Sequence, residues 1–310
     1  MTLVRLGALL AVALAAHVLA AAGAAATGEP GLLDRYAPVL VLHPAEQFAP
    51  VPVEGFIADS DLLARAPDGS WQPFAGPLAL APRASRLDQR ACKAVDGPAA
   101  LECYASAEAA HGAPAIVYGA VFRSKARIAL QYWLFFPANV WSPTVPAGGA
   151  WQSHEGDWEA ATVLLDAAGR PLTVGLSRHC GGVTRPWAKA PKRGGRPLAY
   201  VSLGSHALGF RTGVEPQERR CWPREALSIF DAFRQQLVDH AARGRVVRPG
   251  VVRVTATAPA WMRFPGTWGE DQYVAFPNNA PFRFGAGPQG PAFHTLWQRP
   301  FATPLGWRRD

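Results

Sequence analysis

The sequence predicts an all-β domain with one peripheral amphipathic helix and a loop-rich insertion. Three observations lead to this reading. Glycine and proline, 30 and 29 residues respectively, punctuate short apolar runs throughout the chain. Two of those runs are apolar almost without interruption, and only one segment carries a clear helical period. Frequent Gly and Pro suit strands joined by turns better than long helices.

The strands are expected at 39–42, 115–122, 127–136, 158–166, 172–177, 198–203 and 251–257. The runs 127–136 and 160–165 are nearly continuous in apolar residues, so they should be central strands covered on both faces. The helix is expected to open at Pro223-Arg224-Glu225. Leu227, Phe230, Phe233, Leu237 and Val238 then recur at helical spacing up to Gly244, giving a stripe to pack on a sheet. The segment 58–112 is rich in Ala, Pro and Gly and reads as the loop-rich insertion. No internal repeat is present.

The N-terminus has the three parts of a secretory signal peptide. Arg5 supplies a positive start, Leu6 to Ala22 is apolar apart from His17, and Gly23-Ala24-Ala25-Ala26-Thr27 offers a small-residue cleavage site. Cleavage would release 27–310 as a single domain, secreted or periplasmic; retention of 1–26 would tether it to a membrane. The apolar stretch is dominated by alanine, a weak driver of insertion, which favours cleavage. An exported chain with an even cysteine count favours disulfides, and the pairing expected is Cys92–Cys103 and Cys180–Cys221, each flanking a loop. The absence of any CxxC spacing argues against a thiolate zinc site. The formal net charge of +8 favours anionic surfaces. Because the basic residues are dispersed and no recognition motif accompanies them, nucleic acid is not an expected partner.

The densest group of ligand-type residues is Ser153-His154-Glu155-Gly156-Asp157-Trp158-Glu159. On a strand starting near Asp157, period-two alternation puts Asp157 and Glu159 on one face. Gly156 lets the backbone turn so that His154 folds back toward them. Two carboxylates and an imidazole suit a divalent cation, with Mg²⁺, Ca²⁺ or Mn²⁺ favoured by the oxygens and Zn²⁺ by the imidazole. His179 and His206 each follow an expected strand and precede small residues. If those strands are neighbours, both histidines join the site at one sheet edge. Serine catalysis by Ser205 is disfavoured, since Gly204-Ser205-His206 lacks the nucleophile-elbow pattern. Asp157 and Glu159 are spaced compatibly with glycoside hydrolysis.

The ordered motifs Tyr36-Ala37-Pro38-Val39-Leu40, Tyr132-Trp133-Leu134-Phe135-Phe136-Pro137-Ala138-Asn139, His154–Glu159, Ser177-Arg178-His179 and Tyr200–Ala207 resemble the vacuolar protein sorting-associated protein 62 family. The resemblance runs from Tyr36 to about Pro300 and implies a β-sandwich-like fold. The central segment is also similar to the necrosis- and ethylene-inducing peptide-like cytolysins. These are β-sandwiches whose G-H-R-H-D-W-E heptapeptide holds a divalent cation through its first His, its Asp and its Glu. By position those residues are His154, Asp157 and Glu159, and Asn139 stands where the cytolysins bring a further Asp. Ser153 and Glu155-Gly156 depart from the heptapeptide, so the resemblance implies the cation site rather than cytolysis.

Together these readings predict an exported β-sandwich that binds a divalent cation through His154, Asp157 and Glu159, with Asn139, His179 and His206 as further ligands or orienting partners. The cytolysin resemblance implies that the cation would recognise a polar or anionic lipid or glycan head group, and Trp141 and Trp151 would be interfacial aromatics or packing residues. The alternatives are a metal-dependent hydrolase of phosphoesters or glycans, and an inert structural domain.

Overall fold

The computed structural model describes residues 29–92, 97–142, 151–232, 234, 236–275 and 282–310. The expected signal peptide at 1–26 lies outside the described residues, as does Phe233. No helix among the described residues is long and apolar enough to cross a membrane.

At the centre of the fold, the strands Arg127–Trp141 and Trp151–Asp166 form one long antiparallel pair. They are the middle of a nine-stranded sheet, flanked by Ile116–Arg123 and Gly250–Arg253 on one side and by Pro171–Arg178, Gly181–Pro186 and Arg308–Arg309 on the other. Tyr273–Ala275 pairs with the first residues of the Trp151–Asp166 strand.

Successive residues of the central pair enter different cores, as strand alternation requires. Leu130, Tyr132, Leu134 and Phe136 pack with Leu40, Leu42, Ala199 and Val201, which belong to a five-stranded sheet built on the parallel pair Val39–Leu42 and Arg196–Val201. Trp133 and Phe135 pack instead with Phe56, Leu87, Trp261 and Trp268. The central strands are therefore covered on both faces, as their unbroken apolar runs predict. The result is a β-sandwich with a further layer outside it.

Several elements differ in detail from expectation. The helix Arg224–Ala232 forms, and its Ala226 and Phe230 pack against Trp141. It does not continue to Gly244: Arg234 adopts φ +51°, and Val238–Ala241 becomes a strand paired with Gly213–Pro216. The left-handed residue ends the helical path, and Leu237 and Val238 recur at helical spacing only by coincidence. The 251–257 strand is Gly250–Arg253, after which a turn bonds Thr255 to Ala258.

The segment 58–112 holds more regular structure than its composition implies. It contributes the strands Ser60–Arg65, Trp71–Pro73 and Ser85–Gln89, which form a four-stranded sheet with Thr267–Trp268, and the helix Gly97–His111. That helix buries Ala100 and Tyr104 against the central pair. Its alanines add too little apolar area to mark a face, so periodicity could not find it. Trp141 is 2% exposed and donates from Nε1 to the Val238 carbonyl at 2.9 Å. It is a core residue, not an interfacial one, while Trp151 is half-buried against the first core.

Both expected disulfides are present. Cys92–Cys103 spans 11 residues and Cys180–Cys221 spans 41. The chain-entropy model gives about 3 kcal/mol for the shorter loop and about 4 kcal/mol for the longer. Replacing Cys180 and Cys221 together by Ser should therefore destabilise the domain more than replacing Cys92 and Cys103, as read from urea unfolding midpoints.

Candidate functional site

Within the ladder, Asn139 stands directly opposite His154, Phe136 opposite Asp157 and Leu134 opposite Glu159. The cluster lies inside a strand that begins at Trp151, six residues before the expected start. Residues 151–156 carry few strand-favouring side chains, and it is pairing with Ala138–Trp141 and with Tyr273–Ala275 that holds them extended. Gly156 has φ +56°, and a Cβ there would lie 2.5 Å from the Trp268 carbonyl oxygen. Glycine is needed on both counts, and His154 and Asp157 come to line the same space.

That space is a cavity of about 300 Å³ whose lining includes Asn139, His154, Asp157, Glu159 and His179. Trp158, Trp222, Phe284 and His294 supply an aromatic wall. Five of the six residues singled out in the sequence therefore meet at one cavity. The sixth, His206, lies behind it.

His206 does not come from a neighbouring strand of the same sheet. It follows the Arg196–Val201 strand of the facing five-stranded sheet and reaches across the sandwich. Its ring is fully buried and stacks flat on Phe136, with centroids 3.9 Å apart. Nδ1 bonds Asp157 Oδ2 at 2.8 Å, and Nε2 faces Glu46 Oε1 at 3.6 Å. Burial alone would lower the histidine pKa, but Glu46 and Asp157 outweigh it and raise it to about 9. The imidazolium in turn keeps Asp157 ionised, below the usual carboxylate range despite its burial. Glu159 moves the other way: burial and the charge on Asp157 push its carboxyl up. Ser177 Oγ donates to Glu159 Oε2 and accepts from the Ala160 N–H.

His154 Nδ1 lies 2.7 Å from the Gly156 carbonyl oxygen, so it carries the proton, and Nε2 presents a lone pair. His179 Nε2 faces both oxygens of Asp239 at 3.0 and 3.1 Å. Asp239 also accepts from Ser205 Oγ at 2.8 Å and Gln217 Nε2 at 2.9 Å. The Ser205 hydroxyl is thus committed to a carboxylate rather than to a histidine base, which disposes of a serine nucleophile. His179 and His206 both adopt left-handed backbone, with φ +51° and +53°. Strain of this kind in non-glycine residues gathers at functional sites.

Sequence reasoning missed Glu46 and Asp239. Both are buried acids far along the chain from the motif, and only burial distinguishes them from surface carboxylates. It also left Glu155 without a role. Glu155 accepts from the Tyr104 hydroxyl at 2.9 Å and the Gln89 N–H at 3.2 Å. Asp88, Glu155 and Glu270 bring ligand atoms within 4.8 Å of one another, the one such trio of possible metal ligands among the described residues. The Arg86 guanidinium lies 2.5 Å from Asp88 and 3.8 Å from Glu270. A cation is therefore already supplied by the chain, and the trio reads as a structural knot. His154, Asp157 and Glu159 are more widely spread around their cavity.

No family model matches the chain. Over 220 residues it is 26% identical to TDA6 of Saccharomyces cerevisiae, named as a vacuolar protein sorting-associated protein, covering 58% of this chain and 46% of that one. It is 24% identical over 209 residues to vacuolar protein sorting-associated protein 62 of the same yeast, covering 59% and 44%. The chain is similar to the vacuolar protein sorting-associated protein 62 proteins. It spans less than half the length of these two relatives. Among solved structures, necrosis and ethylene inducing protein 2 from the causal agent of cocoa's witches' broom disease matches with a TM-score of 0.35 and 15% identity, covering 73% of this chain and 74% of that one. NLPPya in complex with glucosamine matches with a TM-score of 0.32 and 19% identity, covering 59% and 66%. The vacuolar protein sorting-associated protein 62 resemblance carried by the motifs recurs in the two yeast relatives.

Two outcomes follow. Gly156→Ala should cost more than Gly112→Ala in equilibrium unfolding. Both glycines are left-handed, at φ +56° and +57°, but a Cβ at Gly112 meets nothing within 4 Å. The dihedral cost of about 1–2 kcal/mol applies to both, and the collision with Trp268 only to Gly156. In chelator, stability should fall as pH rises. The His206 contribution is fully present below the unfolded pKa of 6.5 and is lost as pH rises through about 9. The raised Glu159 acts in the same direction, and the lowered Asp157 acts oppositely only at acid pH. Thermal midpoints from pH 6 to 10 check this, and His206→Gln should flatten the alkaline decline.

Proposed function

We propose that this protein is exported and uses the cavity to hold a divalent cation, through which it captures the polar head group of a glycan. His154 Nε2, the Asp157 oxygen not bonded to His206, the Glu159 oxygen not bonded to Ser177, and Asn139 Oδ1 are the donors. The observation that carries the reading is the pairing of an available His154 lone pair with Asn139 Oδ1. The latter is buried in the same cavity and has no hydrogen-bond partner within the protein. A buried polar atom left unpaired costs about 1–3 kcal/mol, which a ligand would recover.

The mixed oxygen and nitrogen set suits Ca²⁺, Mn²⁺ or Mg²⁺ and admits Zn²⁺. His206 fits a supporting role, fixing Asp157 in its ionised form and in one orientation. Because the three side chains are spread around the cavity rather than closed on one point, part of the coordination falls to water or to hydroxyls of the bound sugar. The aromatic wall offers apolar faces to a sugar ring. Export is supported by the pattern of 1–26 and by two disulfides, which persist in oxidising compartments.

Two carboxyl groups in one aromatic-walled cavity favour a second reading, a glycan hydrolase with Asp157 and Glu159 as the working pair. Turnover separates the two. Calorimetric titration with Ca²⁺, Mn²⁺, Mg²⁺ and Zn²⁺, then with glucosamine and mannosamine, should show saturable metal binding and metal-dependent sugar binding without hydrolysis. NLPPya is described in complexes with these two sugars, which makes them the first probes. His154→Ala and Asp157→Asn should each weaken metal binding at least about tenfold, the equivalent of about 1.4 kcal/mol. Equal metal affinities in wild type and both variants would sink the cation, and sugar hydrolysis lost in Asp157→Asn would favour the enzyme.

A further inference from the structure

A second cavity, of about 360 Å³, adjoins the first. The two share Trp158, His179, Cys180 and His294 as lining residues. The C-terminal segment closes the second one, with Phe293 and Trp307 among its walls. Each cavity alone is at the small end of ligand sites, which run from about 300 to 1,000 Å³. Their shared lining points to one extended site rather than two.

The walls of the second cavity have the chemistry of a sugar ring's two surfaces. Trp307 rests on backbone cleared by two glycines of neighbouring strands. A Cβ on Gly175 would come within 3.0 Å of its ring, and one on Gly182 within 2.5 Å. Glycine in a strand marks such close approach, and here it seats an aromatic platform whose residue is half-buried. Trp158, 5% exposed, lines both cavities, and its indole N–H has no hydrogen-bond partner. His294 also lines both. Its Nε2 bonds the Gln289 carbonyl at 2.7 Å and so carries the proton. Desolvation lowers its pKa. Trp158 and His294 thus belong to the shared wall of the two cavities, and Gln289 and Thr303 add polar side chains to the lining of the second. An alkyl chain there would cover the polar side chains of Gln289 and Thr303, whereas sugar hydroxyls can hydrogen-bond to them.

We propose that the second cavity is a subsite for a further sugar ring, so that the protein reads at least a disaccharide with one ring at the His154 cavity and the next against Trp307. This rests on the glycan reading above and adds the length of glycan that is read. Trp307 acts by stacking, and Trp158 is the wall common to both rings.

The test is calorimetry at saturating Ca²⁺ or Mn²⁺ with glucosamine, glucose and mannose, their β-1,4-linked dimers and trimers, and octyl β-glucoside. Wild type should bind a dimer at least about tenfold tighter than its monomer, with little further gain for the trimer. Trp307→Ala should reduce that ratio to below about threefold while leaving the monomer and metal affinities unchanged; Trp307→Phe should keep most of it. Thr303→Trp, which fills the cavity from the other wall, should remove the gain if Trp307→Ala proves unstable. Monomer binding with no gain from a second ring overturns this proposal alone, as does a larger gain from the octyl chain than from the dimer. No saccharide binding under any metal overturns both it and the reading beneath it.

Discussion

The register between the Arg127–Trp141 and Trp151–Asp166 strands places Asn139 beside His154 and Phe136 beside Asp157, and the candidate site follows from it. Slipping the register by one residue would send every side chain of one strand to the other face. That slip is resisted from both sides at once, because Leu134 and Phe136 are locked into one core and Trp133 and Phe135 into the other. The polar cluster therefore occupies the end of a ladder whose alignment is set by apolar packing. Phe136 joins the two roles: it is a core side chain and also the surface on which His206 stacks.

A cluster of buried charges normally opposes folding, since desolvation of each ion is costly unless partners repay it. Here the repayment is specific. His206 lies between Asp157 and Glu46, and Asp239 collects hydrogen bonds from Ser205 and Gln217 while facing His179. The two histidines also hold left-handed backbone, a strain that the surrounding packing must hold in place. The acidic trio of Asp88, Glu155 and Glu270 is handled differently, with an arginine of the chain itself lying among the carboxylates. The contrast distinguishes a polar group that ties layers together from one that keeps donor atoms unspent.

Much of the cavity was legible in the sequence because local spacing carried it. Asp157 and Glu159 alternate on a strand, Gly156 permits the left-handed turn that brings His154 round, and the cysteine spacing suggested both disulfides. The helix Gly97–His111 was not legible, because alanine gives no stripe of apolar area to betray a period. Leu237 and Val238 misled for the opposite reason: their helical spacing fits a period that a left-handed residue at Arg234 interrupts.

By itself the sequence determined that His154, Gly156, Asp157 and Glu159 would stand close together on one strand, since that depends on residue type and on spacing over a few positions. Only the tertiary structure decided that His206 would arrive from the facing sheet to hold Asp157, that Glu46 and Asp239 would be buried near the histidines, and that Trp158 would line two neighbouring cavities. Those facts depend on which distant segments pack across the sandwich. Packing of that kind is set by the sum of many small apolar contacts across the cores, and no short stretch of sequence contains it.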